Sequence, residues 1–220
     1  MQSIQKDSST SRKIYSEWLK LFAILFMVID HIGLVFYPEV QWLRQIGRFA
    51  FPIFAYQITI GFQLTSNKKK YLQRLLTFAV ISAVPYYLMT ELPTLNIFFT
   101  LSLGFLAMWA IDAKKYYFLP LILALPFFIL IDYGIYGVLT ILFLYLLRRN
   151  FFLQLAGFFG LTFLYIGSGG SVLQINAVFG LMAVPFLLNL KDRFNIHKYF
   201  YYAFYPAHML LLWLLEVSFK

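Results

Sequence analysis

The chain of 220 residues contains no cysteine. That excludes disulfides, thiolate metal sites and a cysteine-bound acyl intermediate. Charge is scarce too. Asp, Glu, Lys and Arg make up 12% of the residues, where a soluble domain has roughly a quarter. There are nine acidic residues and three histidines, so any carboxylate or imidazole inside an apolar stretch stands out. No HExxH or other paired metal-ligand spacing occurs, so no metal is expected. No serine elbow is present either. The glycines of 167–170 follow no strand and read as a loop, not a phosphate cradle.

What the chain has in abundance is apolar surface. Hydrophobic residues make up 61%, mean hydropathy is +0.75, and there are 26 phenylalanines and 16 tyrosines. Such a chain is soluble in a bilayer, where about 20 apolar residues cross as a helix. The reading is an all-α, polytopic transmembrane bundle. A polar tail (1–18) precedes a single membrane domain (19–217). Nine spans are expected: 19–37, 46–64, 72–89, 95–111, 116–131, 133–147, 151–166, 173–190 and 199–217. The fifth to seventh are short, so eight or ten spans are also compatible with the pattern. The first span is too long for a cleaved signal and contains Asp30 and His31.

Lysine and arginine set the orientation. Lys6, Arg12, Lys13 and Lys20 precede the first span. Lys68, Lys69, Lys70 and Arg74, then Lys114 and Lys115, then Arg148 and Arg149, then Lys191, Arg193 and Lys198 fall in alternate loops on the same side. Only Arg44, Arg48 and Lys220 fall opposite. The N-terminus is therefore expected inside and the C-terminus outside. The net charge of +9 reads as topology and contact with anionic lipid, not as nucleic-acid binding.

Ionisable groups within spans mark sites, because each is costly there. Asp30 lies about 17 Å from the cytoplasmic end of its span and His208 about 14 Å from that end of the last, at 1.5 Å per residue. Arg44 and Arg48 share a helix face at i,i+4, and an Asp30–Arg48 ion pair would neutralise both members. The plainer alternatives are an Arg48 that snorkels to the interface and an Asp30-His31 clamp between helices. Tyr201, Tyr205 and His208 fall on one face around Pro206; they read as a site or as an aromatic packing stripe. Asn96 and Thr100 share a face. Asp132-Tyr133-Gly134 occupies a tight outer turn, which alone would explain the Asp and Gly. Asn176 reads as an interhelical hydrogen bond, and His197 as a solvated loop residue.

A histidine beside an aspartate suits general-base work. With no thiol or serine elbow, direct group transfer between two bound substrates fits best. The basic loop with Lys68, Lys69, Lys70, Tyr71 and Arg74 would hold a phosphorylated donor, or would simply obey the positive-inside rule. The same buried residues would also suit a proton-coupled transporter. No inverted repeat supports that alternative. A non-enzymatic scaffold would not require these charges inside a membrane.

Several motifs resemble the TraX family: Ile29-Asp30-His31-Ile32-Gly33, the run from Ile46-Gly47-Arg48 to Phe54-Ala55, Lys70-Tyr71 with Arg74-Leu75, Leu95-Asn96 with Phe99-Thr100, Asp132-Tyr133-Gly134, and Phe204-Tyr205-Pro206 with His208. The resemblance runs from about residue 19 to 215. It implies a multi-pass protein of the bacterial cytoplasmic (inner) membrane that transfers acetyl from acetyl-CoA to an amine or hydroxyl at the outer face. The acceptor would be a protein N-terminus, a lipoprotein or a glycan. On that reading His31, oriented by Asp30, which is itself paired to Arg48, is the base, and His208 stabilises the oxyanion or protonates the thiolate. Arg44, Asn96, Thr100, Asp132, Tyr133 and Tyr205 position substrate. The Lys68–Arg74 loop binds CoA.

Overall fold

The computed structural model describes residues 17–192 and 195–219. Residues 1–16 of the expected tail, with Lys6, Arg12 and Lys13, lie outside the described residues, as do Arg193 and Lys220. In chain order the helices are α1 (Glu17–Val35), α2 (Gln41–Gly47), α3 (Ala50–Leu64), α4 (Lys68–Ile81), α5 (Ala83–Thr90), α6 (Ile97–Asp112), α7 (Leu119–Phe128), α8 (Gly134–Leu146), α9 (Phe151–Gly167), α10 (Ala177–Asn189) and α11 (Lys198–Phe219). Short 3₁₀ turns, Tyr116–Phe118 and Val172–Asn176, lead into α7 and α10. Among the described residues no strand forms. An isolated parallel bridge joins Leu95 to Ile131.

Each expected span is occupied by helix. Glu17–Val35, Val172–Asn189 and Lys198–Phe219 are long and apolar enough to cross a membrane, and the pair α4–α5 meets the same test as one span bent by 43°. Ile97–Asp112, Tyr116–Phe128, Gly134–Leu146 and Phe151–Gly167 are shorter apolar helices. The bend has a local cause. Pro85 has no N–H to give the Ile81 carbonyl, and its ring crowds that carbonyl, so α4 stops at Ile81.

The second expected span starts later than the expected residue 46: α3 begins at Ala50, and a short helix, α2 (Gln41–Gly47), occupies the connection expected to be a loop. Close packing sets the position of α2. A Cβ on Gly33 would lie 2.7 Å from the Leu43 Cβ, and one on Gly47 would run into the Asp30 side chain. Glycine at these two points lets α2 lie directly on α1, and this contact carries Arg44 and Arg48 to Asp30.

Helix α3 is central. Phe51, Ile53, Ile58 and Phe62 are buried against residues such as Phe105 and Ile141 of α6 and α8. The peripheral helices face outward with aromatic side chains; Phe128 is 85% exposed and Phe152 80%. Water would penalise so much exposed apolar area, whereas hydrocarbon does not.

Candidate active site

Two histidines from opposite ends of the chain meet inside the bundle. His31 Nδ1 lies 2.8 Å from His208 Nε2, and the two rings are within 2° of parallel. His208 is 6% exposed, and its Nδ1 lies 2.8 Å from the Phe204 carbonyl oxygen. This geometry assigns the protons of the neutral pair. A carbonyl only accepts, so His208 Nδ1 carries its hydrogen and Nε2 holds a lone pair. His31 Nδ1 must then donate to that lone pair. His31 Nε2 is left as a basic nitrogen with no hydrogen-bond partner among the described residues. Phe204 stacks on His208 at 5.1 Å and fixes its ring plane.

Asp30 does not orient His31, contrary to the expectation from their adjacency. Neighbouring residues on a helix point about 100° apart, and the Asp30 carboxylate turns to α2. Arg44 Nη1 donates to Asp30 Oδ2 at 2.7 Å and to its carbonyl oxygen at 2.8 Å. Arg48, the expected partner, stands further off, with Nη2 3.6 Å from Oδ1. The shared face of Arg44 and Arg48 is real, but the direct bond belongs to Arg44. Asp132 and Tyr133 lie beside Arg48, which completes a cluster of two carboxylates and two guanidinium groups.

Beneath the histidines, between α1, α3, α4, α6 and α11, lies a cavity of about 320 Å³. Lys20, Arg74 and Lys198 line it, with Tyr71, Tyr201 and Tyr202; its apolar wall includes Ile24, Met27, Phe98 and Leu101. Met27 and Tyr205 lead toward the histidine pair. They sit one turn before His31 and just before His208 on their helices, and the Tyr205 ring is 5.7 Å from that of His208. Arg74 lies over the rings of Tyr71 and Tyr202 at 4.7 and 5.1 Å. Lys20 bonds Glu17 at 2.7 Å, and Tyr201 donates to the same carboxylate.

Only part of the expected donor loop reaches this cavity. Tyr71 and Arg74 do, one turn apart on α4. Lys68 instead pairs with Asp112 and lies over Phe62, and Lys69 and Lys70 are exposed. Of the expected acceptor residues, Tyr205 lines the cavity and Arg44 holds Asp30. Asn96 has a structural role: its Oδ1 accepts from Phe98 N at 3.1 Å as the N-cap of α6, and its Nδ2 donates to the Ala79 carbonyl at 2.8 Å. That carbonyl lies next to the break between α4 and α5. Thr100 donates to the Asp132 carbonyl. Tyr133 adopts a left-handed conformation (φ 61°) and stacks on Phe51 at 4.0 Å. Asn176 bonds the Leu173 carbonyl within its own turn, not another helix. In the sequence Lys20 and Lys198 stand out only as topology charges, and Gln57, which also lines the cavity, carries no signal there. Among the described residues, no cluster of three or more His, Asp or Glu is placed to hold a metal.

The chain is similar in sequence to several bacterial proteins. It is 33% identical to the probable fimbrial assembly protein FimC, serogroup H1, of Dichelobacter nodosus over 88% of this chain and 92% of that protein. Shorter matches are 35% identical to an uncharacterised protein of Rickettsia prowazekii, over 41% of this chain and 35% of that protein, and 34% identical to Protein TraX of Escherichia coli, over 32% and 29%. No solved structure matches. A family profile described as TraX protein matches residues 15–216, nearly the whole chain, and on that match this membrane protein belongs to the TraX family.

Proposed function

We propose that the protein is a membrane acetyltransferase, taking acetyl from cytoplasmic acetyl-CoA and passing it to an amine or hydroxyl presented from the outer face of the bacterial cytoplasmic membrane. The observation that carries this reading is a base of defined tautomer, His31, set above a cavity whose other end is cationic. The helices supply a ruler. Lys20 to His31 on α1 spans about 16 Å, and Lys198 to His208 on α11 about 15 Å, at 1.5 Å per residue. An extended pantetheine arm bridges such a distance, with its phosphates at Lys20, Arg74 and Lys198 and its thioester near the histidines.

In the proposed reaction His31 Nε2 removes the proton from the acceptor nitrogen or oxygen. The acceptor bonds to the thioester carbon and the carbon–sulfur bond breaks. His31 then returns the proton to the leaving sulfur. His208 Nε2 accepts from His31 Nδ1 throughout and shares the positive charge while it exists. Asp30, Arg44, Arg48, Asp132 and Tyr133 face the acceptor side and balance one another's charge. The relatives named for fimbrial assembly and for TraX are compatible with a protein or surface-exposed acceptor. We further propose nine crossings, N-terminus inside, because each expected interval carries a helix and the lysines and arginines alternate between the intervening loops.

The bend at Pro85 favours a second reading, a proton-coupled transporter built on a broken helix. Equilibrium binding to detergent-purified protein separates the two. The acetyltransferase reading expects saturable acetyl-CoA binding, weakened at least tenfold by Arg74→Glu. Absence of binding, with solute uptake by proteoliposomes, would favour the transporter.

A further inference from the structure

The cavity contains one neutral amide, and its two halves differ. Gln57 of α3 donates from Nε2 to the Leu19 carbonyl at 3.1 Å. That bond ties α3 to α1 and fixes which way the amide faces. Its Oε1 accepts no hydrogen bond among the described residues, and the side chain is half-buried in the cavity wall. The bonded carbonyl belongs to the residue before Lys20, so Gln57 lies just inside the cationic mouth. Leu19, across that bond, and Phe54 and Ile58, on its own helix, are apolar, and the other polar groups that line the cavity are the cations Lys20, Arg74 and Lys198 and the phenols Tyr71, Tyr201, Tyr202 and Tyr205. An oriented acceptor favours a ligand with a matching N–H, because an amide oxygen left unpaired once the ligand has displaced water is costly.

Building on the acetyltransferase reading, we propose that Gln57 Oε1 is a specificity determinant that accepts a hydrogen bond from the amide N–H of the donor's pantetheine arm nearer the phosphates. The cavity would thereby distinguish a pantetheine thioester from an ester-linked membrane lipid. Both carry phosphate and a long chain, but only pantetheine has an N–H at this depth. Gln57 acts on binding and register, not on the chemistry at His31.

The test is a cycle of two proteins and two donors. Detergent-purified wild type and Gln57→Leu are each titrated with acetyl-CoA and with an analogue whose pantoyl amide is replaced by an ester. Wild type is expected to bind the amide donor roughly fivefold more tightly, the value of one net hydrogen bond. Gln57→Leu is expected to bind both donors alike, and to lose affinity for acetyl-CoA without losing affinity for the ester. Equal affinity of wild type for the two donors would overturn the proposal even if the variant failed to fold. So would a fivefold preference that survives Gln57→Leu. No binding of acetyl-CoA by wild type would instead sink the acetyltransferase reading itself.

Discussion

At the scale of single residues, the ion pair at Asp30 sets a clear expectation. Asp30 is bonded directly by Arg44 at 2.7 Å and only approached by Arg48 at 3.6 Å. All three side chains are less than 20% exposed. Removing one partner of such a pair leaves a charge with little compensation, at a cost of up to about 3–5 kcal/mol. Arg44→Ala should therefore lower thermal stability in detergent more than Arg48→Ala, and equal shifts would contradict the pairing. The sequence made this cluster visible because charges are so rare in an apolar chain. It could not rank the two arginines, which share a helix face. That ranking depends on Gly33 and Gly47, which let α2 lie against α1, and glycine carries no pattern that reveals its neighbour. The histidines were legible for the same reason of scarcity, but their mutual bond was not. Adjacency in sequence favoured Asp30 as the partner of His31, whereas helical geometry turns the two side chains apart and brings in a residue from the far end of the chain.

At the scale of elements, each apolar run holds helix, but α2 lies in a connection the runs left open, and the breaks are where pattern reading stopped. Pro85 marks the end of α4, but a single proline does not disclose that Asn96, eleven positions later, closes the break. Asn96 uses both halves of its amide, one on the start of α6 and one on the Ala79 carbonyl of α4. The same scarcity that exposed the histidines made Asn96 look like a substrate residue. Asn96→Leu should cost about 1–3 kcal/mol, since it leaves a buried carbonyl unpaired and removes a helix cap. Below the lowered melting temperature, acetyl-CoA affinity should stay within twofold of wild type. A stable Asn96→Leu protein that fails to bind or position substrate would restore the substrate role. The donor loop illustrates the opposite limit. Lysine at 68, 69 and 70 looked like a phosphate site, yet a helix presents only one face inward, and Tyr71 and Arg74 occupy it.

At the scale of the whole molecule, the proposed transfer uses two faces: a cationic mouth with Lys20, Arg74 and Lys198 for the donor, and the charge-balanced cluster around Asp30 for the acceptor. The absence of cysteine makes the orientation simple to test, because single cysteines can be introduced into an otherwise unmodified sequence. Glu39 and Lys114 are both exposed in connections between helices. With the N-terminus inside, Glu39→Cys should react with an impermeant maleimide in intact cells, and Lys114→Cys only after permeabilisation. The reverse pattern would invert the molecule and place the cavity mouth outside.

One comparison decides whether His31 is the base of an acetyl transfer fed from the cavity. Purified wild type and His31→Ala are reconstituted with cell-envelope acceptor and radiolabelled acetyl-CoA, and both bound donor and acetylated product are counted. His31→Ala is expected to bind acetyl-CoA within about twofold of wild type and to transfer acetyl at least about 100-fold more slowly, the lower range for loss of a general base. Transfer by His31→Ala at the wild-type rate would rule out His31 as the base.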